Sequence, residues 1–100
     1  MVITIKDKTF NLKRTFRSLI AYESAMGKAF NPTTVTDFIM YFYCVITASD
    51  EELELSFDEF MEWLDENPKE LTNFTEWVIK ISDIESTIAK KKTVKTAKKN

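Results

Sequence analysis

The stretch from residue 35 to residue 48 constrains the fold more than any other part of the chain. Eleven of its fourteen residues are apolar or aromatic, and they fall on every side of a helical wheel. A helix that is apolar on all sides is buried inside a protein, and this one is too short for a membrane span, which needs about 20 residues. We therefore expect it to be the central helix of a small, mainly α-helical domain.

Alternating apolar and polar side chains at the start of the chain predict a β-hairpin before the helices. Asp7 and Lys8 are the expected turn residues, although a tight turn there places Lys8 at a positive φ, which disfavours it. The predicted register gives two pairs that share one apolar face, Ile5 with Phe10 and Ile3 with Leu12. Because two strands alone are barely stable, that face is expected to pack on the helices.

The first helix is predicted from residue 15 to residue 26. Apolar residues repeat there at helical spacing, with Ala21, Tyr22 and Ala25 beside them: Phe16, Leu19, Ile20 and Met26. Gly27, the only glycine of the chain, follows the last of them. Because a glycine in the left-handed conformation commonly ends a helix, we expect Gly27 to be the C-cap.

Start signals also precede the second and third helices. Thr33 or Thr34 can cap the central helix, and Asp37 is the acid of its first turn. After an acidic connection, the sequence Ser56-Phe-Asp-Glu59 is a capping box. It opens a short third helix that is predicted to end at about residue 66. The apolar face of that helix consists of Phe57, Phe60, Met61 and Leu64.

Asn67 and Pro68 predict the start of a fourth helix, which can extend to about residue 90. At about 1.5 Å per residue such a helix is about 35 Å long, so its far end is expected to reach past the body of the domain. The apolar stretch from residue 81 to residue 88 is then either core or a contact with another chain. The residues that we predict to bind a partner are Trp63, Trp77, Ile81, Ile84 and Ile88.

Charge is distributed unevenly along the chain. Residues 1–89 hold all sixteen acidic residues and eight basic ones, whereas residues 90–100 hold six lysines and no acid. We predict a single helical domain with its hairpin over residues 1–90 and a basic, disordered tail over residues 91–100. The tail can contact nucleic acid through phosphates. A solubilising or linking tail is preferred, because nucleic-acid-binding domains carry their basic patch on a folded face.

The chain offers few groups for catalysis or metal binding. It has no histidine, and its single cysteine, Cys44, lies in the stretch expected to be buried, which fits a reducing cytoplasm. The acidic connection resembles the calcium loop of an EF-hand, but Ala48 stands where the first acid is needed and Leu53 where glycine makes the sharp turn. Asp58 and Glu62 fit a solvated helix face better than an acid–base pair. We expect no cofactor, no metal site and no enzymatic activity.

Short motifs follow one another along the chain in a familiar order. They are Arg14-Thr-Phe-Arg17, Tyr22-Glu-Ser-Ala-Met-Gly27, Asp37 opening an aromatic helix that ends near Tyr43-Cys44, Ser56-Phe-Asp-Glu-Phe60, and Trp63-Leu64-Asp65. Over roughly residues 10–80, this series resembles the tail assembly chaperones of long-tailed bacteriophages, which are small, mostly helical proteins. The N-terminal hairpin departs from a purely helical pattern.

The resemblance implies a binding function without catalysis. Such proteins coat the hydrophobic tape-measure protein, keep it soluble and deliver it to the tail-tube proteins that polymerise around it in the host cytoplasm. Many are also made in a longer form by ribosomal frameshifting, and the paired lysines of the tail can be encoded by a slippery site. A homo-oligomer without membrane contact is expected. The alternative is a small cytosolic adaptor or regulator that binds another protein through the same surface.

Overall fold

The computed structural model describes residues 1–81, which form an antiparallel β-hairpin followed by four helices. The elements in chain order are β1 (Val2–Ile5), β2 (Lys8–Asn11), α1 (Phe16–Met26), α2 (Val35–Ser49), α3 (Phe57–Glu66) and α4 (residue 69 to residue 81, the last one described). The prediction of a mainly α-helical domain with an N-terminal hairpin is confirmed.

The hairpin forms in a different register from the predicted one. Its residue pairs are Val2 with Asn11, Ile3 with Phe10, Thr4 with Thr9 and Ile5 with Lys8. The turn therefore lies at residues 6–7 and not at residues 7–8, and both predicted apolar pairs are wrong. The observed register differs from the predicted one by two residues. Because successive side chains of a strand alternate between the two faces of the hairpin, a shift of two residues leaves the apolar side chains together on one face.

Contacts with distant parts of the chain help to explain the observed register. Lys6 and Asp7 both have a positive φ, of 52° and 61°, as a two-residue type I′ turn requires. In this register the Lys6 ammonium lies 2.9 Å from the Glu59 carboxylate of α3. The Lys8 ammonium lies 2.5 Å from the Asp50 carboxylate. Both ion pairs link the hairpin to the later part of the chain, and solvent-exposed pairs of this kind each contribute modestly to stability.

Capping boxes open three helices, and those at Thr34 and Ser56 are predicted from the sequence, whereas Thr15, predicted as the first residue of α1, is its N-cap. The side chains of Thr15, Thr34 and Ser56 each accept a hydrogen bond from the backbone N–H three residues on, and each third residue bonds back to the cap. Gly27 has a φ of 66° and a ψ of 28°, so the left-handed C-cap predicted there is confirmed. Local hydrogen bonding thus defines the starts of three helices and the end of α1.

Helix α2 is the centre of the core, as predicted. Phe42 stacks on Phe74 of α4 with ring centroids 4.3 Å apart, and it meets Phe60 of α3 edge-on at 5.4 Å. The adjacent Tyr41 ring meets Tyr22 of α1 edge-on at 5.8 Å. Tyr41 and Phe42 are consecutive residues, and their side chains therefore point in different directions around α2. Helix α2 is buried because other helices pack on several of its sides.

The hairpin covers one side of the helical core with its apolar face. Ile3, Ile5 and Leu12 are buried. The Nε1–H of Trp63 in α3 donates a hydrogen bond to the backbone carbonyl of Thr4 at 3.0 Å. This bond and the buried apolar side chains attach the two strands to the helices, as two isolated strands require.

Some predictions concern residues beyond the described part of the chain. The continuation of α4 past residue 81, with Ile84 and Ile88, lies outside the described residues. The predicted basic tail of residues 91–100 lies outside them as well. Within residues 1–81, no helix combines the length and the apolar character needed to cross a lipid bilayer.

Candidate binding surface

Helix α1 turns part of its apolar surface toward solvent. Its fully buried side chains are Ser18 and Tyr22, which face the core. Phe16 is 84% exposed and Ile20 is 64% exposed, and the two lie one helical turn apart. They therefore form a continuous apolar ridge, which we call the α1 ridge. Contiguous exposed apolar side chains, unlike scattered single ones, indicate a contact surface.

A groove lies beside the α1 ridge. Its first part, of about 510 Å³, is lined by Arg14, Thr15, Phe16 and Leu19. Arg14 also lines a second part of about 450 Å³, so that the two parts adjoin. The apolar lining of the second part comes from the loop after α1, from α2 and from α4: Phe30, Pro32, Phe38, Val78 and Ile79. We call the ridge and the groove together the α1 surface.

Arg14 separates the two parts of the groove and is held in place by the core. Its Nε donates a hydrogen bond to the Tyr41 hydroxyl at 3.2 Å. Its guanidinium also lies over the Phe30 ring, 5.9 Å from the ring centroid. The groove therefore has a cationic wall whose position is fixed before any partner binds.

Polar contacts hold the loop between α1 and α2, which forms one side of the groove. The Glu23 carboxylate accepts a hydrogen bond from the backbone N–H of Phe30 at 2.7 Å. Asp37, which is 2% exposed, accepts from the N–H of Thr33 at 2.9 Å and pairs with Lys28 at 3.0 Å. Because the N–H of Thr33 and the Lys28 ammonium favour the charged carboxylate, they lower the pKa of Asp37 far below its ordinary value.

The two halves of the described chain have net charges of opposite sign. Residues 1–48 hold six basic and three acidic side chains, whereas residues 49–81 hold two basic and eleven acidic ones. The exposed Lys13 and Arg17 flank the start of the α1 ridge, and Arg14 lines the groove. The α1 surface therefore carries cationic groups although the described chain as a whole is acidic.

Two of the predicted partner-binding residues, Trp63 and Trp77, belong to one aromatic cluster. Trp63 packs on Phe42 with ring centroids 5.8 Å apart. Trp77 contacts Phe74 at 5.9 Å, and Phe74 in turn stacks on Phe42. Both tryptophans are half-buried. Each tryptophan therefore packs against the core. That the exposed edge of either ring binds a partner stays a prediction.

The other three predicted partner-binding residues lie at or beyond the end of the described chain. Ile81 is half-buried at the last described position, a short distance along α4 from Ile79, which lines the groove. Ile84 and Ile88 lie outside the described residues. The structure therefore places Ile79 of α4 in the lining of the groove, and the contact of residues 81–88 with another chain stays a prediction.

The acidic side chains and the single cysteine are the groups considered for metal binding or catalysis. Within residues 1–81, no three acidic or cysteine side chains are placed to share a metal ion. Cys44 is buried, as predicted, and burial raises the pKa of its thiol to about 11, so the thiol stays protonated near neutral pH. Asp58 and Glu62 are exposed on α3. Contact with another molecule is the chemistry that this surface supports.

Comparison with known proteins gives no assignment. No protein-family model, no curated protein and no solved structure matches the chain. The function therefore has to be inferred from the folded chain and from the motifs identified in its sequence.

The motifs that resemble tail assembly chaperones mainly stabilise the fold. Tyr22 is buried in the core, and Asp37 completes the capping box of α2. Ser56 caps α3, and Trp63 binds the hairpin. Phe16, within the arginine-rich motif, differs from these residues because its side chain is exposed.

The sequence alone does not identify the α1 ridge. Phe16 and Ile20 belong to a set of periodic apolar residues, and such a set normally marks the buried side of a helix. Helix α1 has apolar residues on more than one side, and Tyr22 occupies the buried side together with the small Ser18. Arginines on both sides of Phe16 are the one signal in the sequence that favours an exposed position.

Proposed function

We propose that this chain is a non-enzymatic assembly chaperone of a long-tailed phage or prophage. It binds the tape-measure protein and assists polymerisation of the tail-tube protein around it, in the cytoplasm of the bacterial host. The proposal is supported by the series of chaperone-like motifs and by an exposed apolar surface on a small helical body.

The α1 ridge is the observation that carries the proposal. A long apolar client aggregates unless another protein covers its helices, so a chaperone must offer apolar surface of its own. Burial of the exposed Phe16 and Ile20 side chains supplies roughly 1.5–3 kcal/mol each. The many acidic side chains of residues 49–81 favour solubility of the chaperone while that surface is free.

Self-association belongs to the same proposal. A long client offers many similar segments, so several copies of a small chaperone are needed to cover it. Copies that also contact one another bind such a client more tightly than separate copies do, because each later contact becomes intramolecular. The residues that the sequence predicts to contact another chain, Ile81, Ile84 and Ile88, are the proposed self-association surface.

A small cytosolic adaptor or regulator is the alternative function. It would use the same α1 surface for one short partner. The limited size of the groove, with parts of about 510 and 450 Å³, favours a local contact of this kind. The two functions differ in the protein that is bound. The client of the chaperone is long and insoluble by itself, whereas the partner of the adaptor folds independently.

Co-expression with the tape-measure protein of the same phage or prophage tests the proposal. We expect the tape-measure protein to stay in the soluble fraction when this chain is present and to precipitate when it is absent. Equal precipitation with and without this chain would contradict the chaperone function. Stable binding to a short, independently folded partner in place of the tape-measure protein would favour the adaptor.

A further inference from the structure

We propose that the α1 surface binds one amphipathic helix whose apolar stripe is flanked by acidic residues. This inference rests on the proposed function and specifies the part of the client that is recognised. The α1 ridge provides two apolar side chains one helical turn apart, Phe16 and Ile20, and the groove beside it can accept an apolar side chain of the partner. Ridges that pack into grooves are the usual geometry of a contact between two helices.

A helix fits this surface better than an extended segment does. Binding of an extended peptide depends on free backbone groups at the edge of a sheet, with which it forms new hydrogen bonds. The backbone groups of α1 are engaged within the helix and at its caps, Thr15 and Gly27. A partner helix forms its backbone hydrogen bonds within itself and needs only side-chain contacts from the surface that it binds. The α1 surface offers such side-chain contacts.

The charges around the α1 surface select for acidic flanks. Lys13 and Arg17 are exposed and lie on either side of Phe16 along the chain, and the nearest acidic residue within α1 is Glu23. Glu23 is already engaged by the loop that follows α1. Arg17 pairs with Glu51, but both side chains are about two-thirds exposed, so an acid of the partner can compete for Arg17.

A second copy of this chain is a poorer occupant of the α1 surface. Two α1 surfaces facing each other would place Lys13 and Arg17 of both copies in one interface, where Glu23 is the one acidic residue that α1 contributes, so basic groups would be in excess there. Helix α3 has the acidic residues that a complementary partner needs. Its apolar residues Phe60 and Leu64 are buried in its own core, and Phe57 at 37% is far less exposed than Phe16 at 84%, so α3 offers less apolar surface than α1 does.

Two synthetic peptides test the proposal against the full chain. Both are amphipathic helices of about 18 residues, or five turns, with the same apolar stripe, and one has glutamate flanks and the other lysine flanks. Fluorescence anisotropy measures their affinity for the wild-type chain. We expect the glutamate-flanked peptide to bind about tenfold more tightly than the lysine-flanked one, because several ion pairs each increase its affinity by a small factor. Added salt should reduce this preference, because it screens the charges.

Variants of the chain then locate the binding surface. The double variant Phe16→Ser/Ile20→Ser is expected to weaken binding of the glutamate-flanked peptide about 30-fold or more, as loss of central apolar anchors does. Val2→Ser is the matched control, because Val2 is also exposed, at 58%, but lies on the hairpin. Lys13→Glu/Arg17→Glu is expected to reverse the preference between the peptides. Circular dichroism checks that each variant is folded.

Three results would overturn the proposal. The first is equal affinity of the two peptides for the wild-type chain, and the second is no detectable binding of either. The third is equal loss of binding in Phe16→Ser/Ile20→Ser and in Val2→Ser. Light scattering adds a further arm: a wild-type dimer that the ridge variant converts to a monomer would assign the α1 surface to a second copy.

The proposed function can fail independently of this inference. If the wild-type chain binds the glutamate-flanked peptide but does not keep the tape-measure protein soluble, the surface is assigned correctly and the client is wrong. If Phe16→Ser/Ile20→Ser keeps the tape-measure protein as soluble as the wild-type chain does, the chaperone function stands and the α1 surface is not the site.

Discussion

At the start of α2, polar side chains occupy a position beside an otherwise aromatic core. The buried Asp37 pairs with Lys28 across the loop, and Tyr22 lies close enough for the charge of Asp37 to act on it. Burial, and then the Asp37 carboxylate, raise the pKa of Tyr22, so its hydroxyl stays protonated. This cluster joins α1, the loop after it and α2, and it therefore fixes one wall of the groove.

Replacement of Asp37 by asparagine is expected to lower the melting temperature by about 5 °C near neutral pH, because a helix cap and an ion pair are lost. The pKa of Asp37 is lowered in the folded chain, so its contribution is complete above the ordinary aspartate pKa of about 3.9 and is lost as the pH falls below it. Thermal unfolding followed by circular dichroism from about pH 6 to about pH 2 measures this.

The difference in melting temperature between the wild-type chain and Asp37→Asn should therefore shrink as the pH falls. Glu59 also titrates in this range, because the N–H of Ser56 and then Lys6 lower its pKa to about 2. Glu59 is present in both proteins, so the difference between them reports on Asp37. A difference that stays constant down to about pH 2 would contradict the assigned role of the Asp37 carboxylate.

Replacement of Tyr22 by phenylalanine is expected to change the free energy of unfolding by less than about 1 kcal/mol. The reason is that the buried Tyr22 hydroxyl forms no hydrogen bond of good geometry with the described residues, although Asp37 and Lys28 lie close enough to act on its pKa. Tyr22→Ala, which removes the ring, should cost about 3–5 kcal/mol. Urea unfolding compares the three proteins. A large loss in Tyr22→Phe would show that the hydroxyl has a partner.

At the scale of single residues, the sequence predicts what depends on near neighbours. Thr34 and Asp37 are three positions apart, so their capping box can be recognised from the sequence. The pairing of Asp37 with Lys28 crosses a loop, and the exposure of Phe16 depends on which side of α1 meets α2. Both depend on how the helices pack, which a single sequence does not specify.

At the scale of helices and strands, Gly27 ends α1 at a φ of 66°. Gly27→Ala is expected to destabilise the chain by about 1 kcal/mol, because a Cβ disfavours the left-handed conformation. A steric clash is not the cause, since among the described residues no atom apart from those of Gly27 and its chain neighbours lies within 4 Å of the added Cβ. Gly27→Asn should cost less, because asparagine tolerates this conformation. Equal urea midpoints for the wild-type chain and Gly27→Ala would contradict the left-handed cap.

One tryptophan of α3 contributes a hydrogen bond to the attachment of the hairpin. Trp63→Phe keeps an aromatic ring but loses the hydrogen bond to Thr4, which contributes about 1 kcal/mol. Amide hydrogen exchange should therefore be about fivefold faster in the hairpin, with α2 less affected. Trp77→Phe is the matched control, because Trp77 lies on α4 and packs on Phe74. An unchanged hairpin in Trp63→Phe would show that this bond does not hold it.

The elements differ in how well the sequence predicts them. Helix boundaries at Thr15, Thr34 and Ser56 are set by hydrogen bonds within a few residues, and the predicted caps Thr34 and Ser56 are confirmed. The hairpin contains no glycine to mark its turn, and both registers keep the same side chains on the apolar face. Contacts of Lys6 and of Lys8 with acidic residues far along the chain help to select the observed register.

At the scale of the whole molecule, the described chain combines a buried aromatic core with an apolar surface on one helix. The stretch from residue 35 to residue 48 forms the core, as its composition predicts, and is for the most part unavailable to a partner. The exposed apolar residues Phe16 and Ile20 lie on α1, beside basic side chains. Fold class follows from composition and periodicity, whereas the position of this surface follows only from the packed structure.

The central claim is that the α1 surface contacts the tape-measure protein. Site-specific photocrosslinking tests it most directly, with p-benzoylphenylalanine in place of Phe16 and, as the matched control, in place of the exposed Val2. Both chains are co-expressed with the tape-measure protein and irradiated, and crosslinked products are identified by mass spectrometry. We predict an adduct with the tape-measure protein from position 16 and none from position 2. An adduct from position 2 alone, or equal adducts from both positions, would contradict the claim.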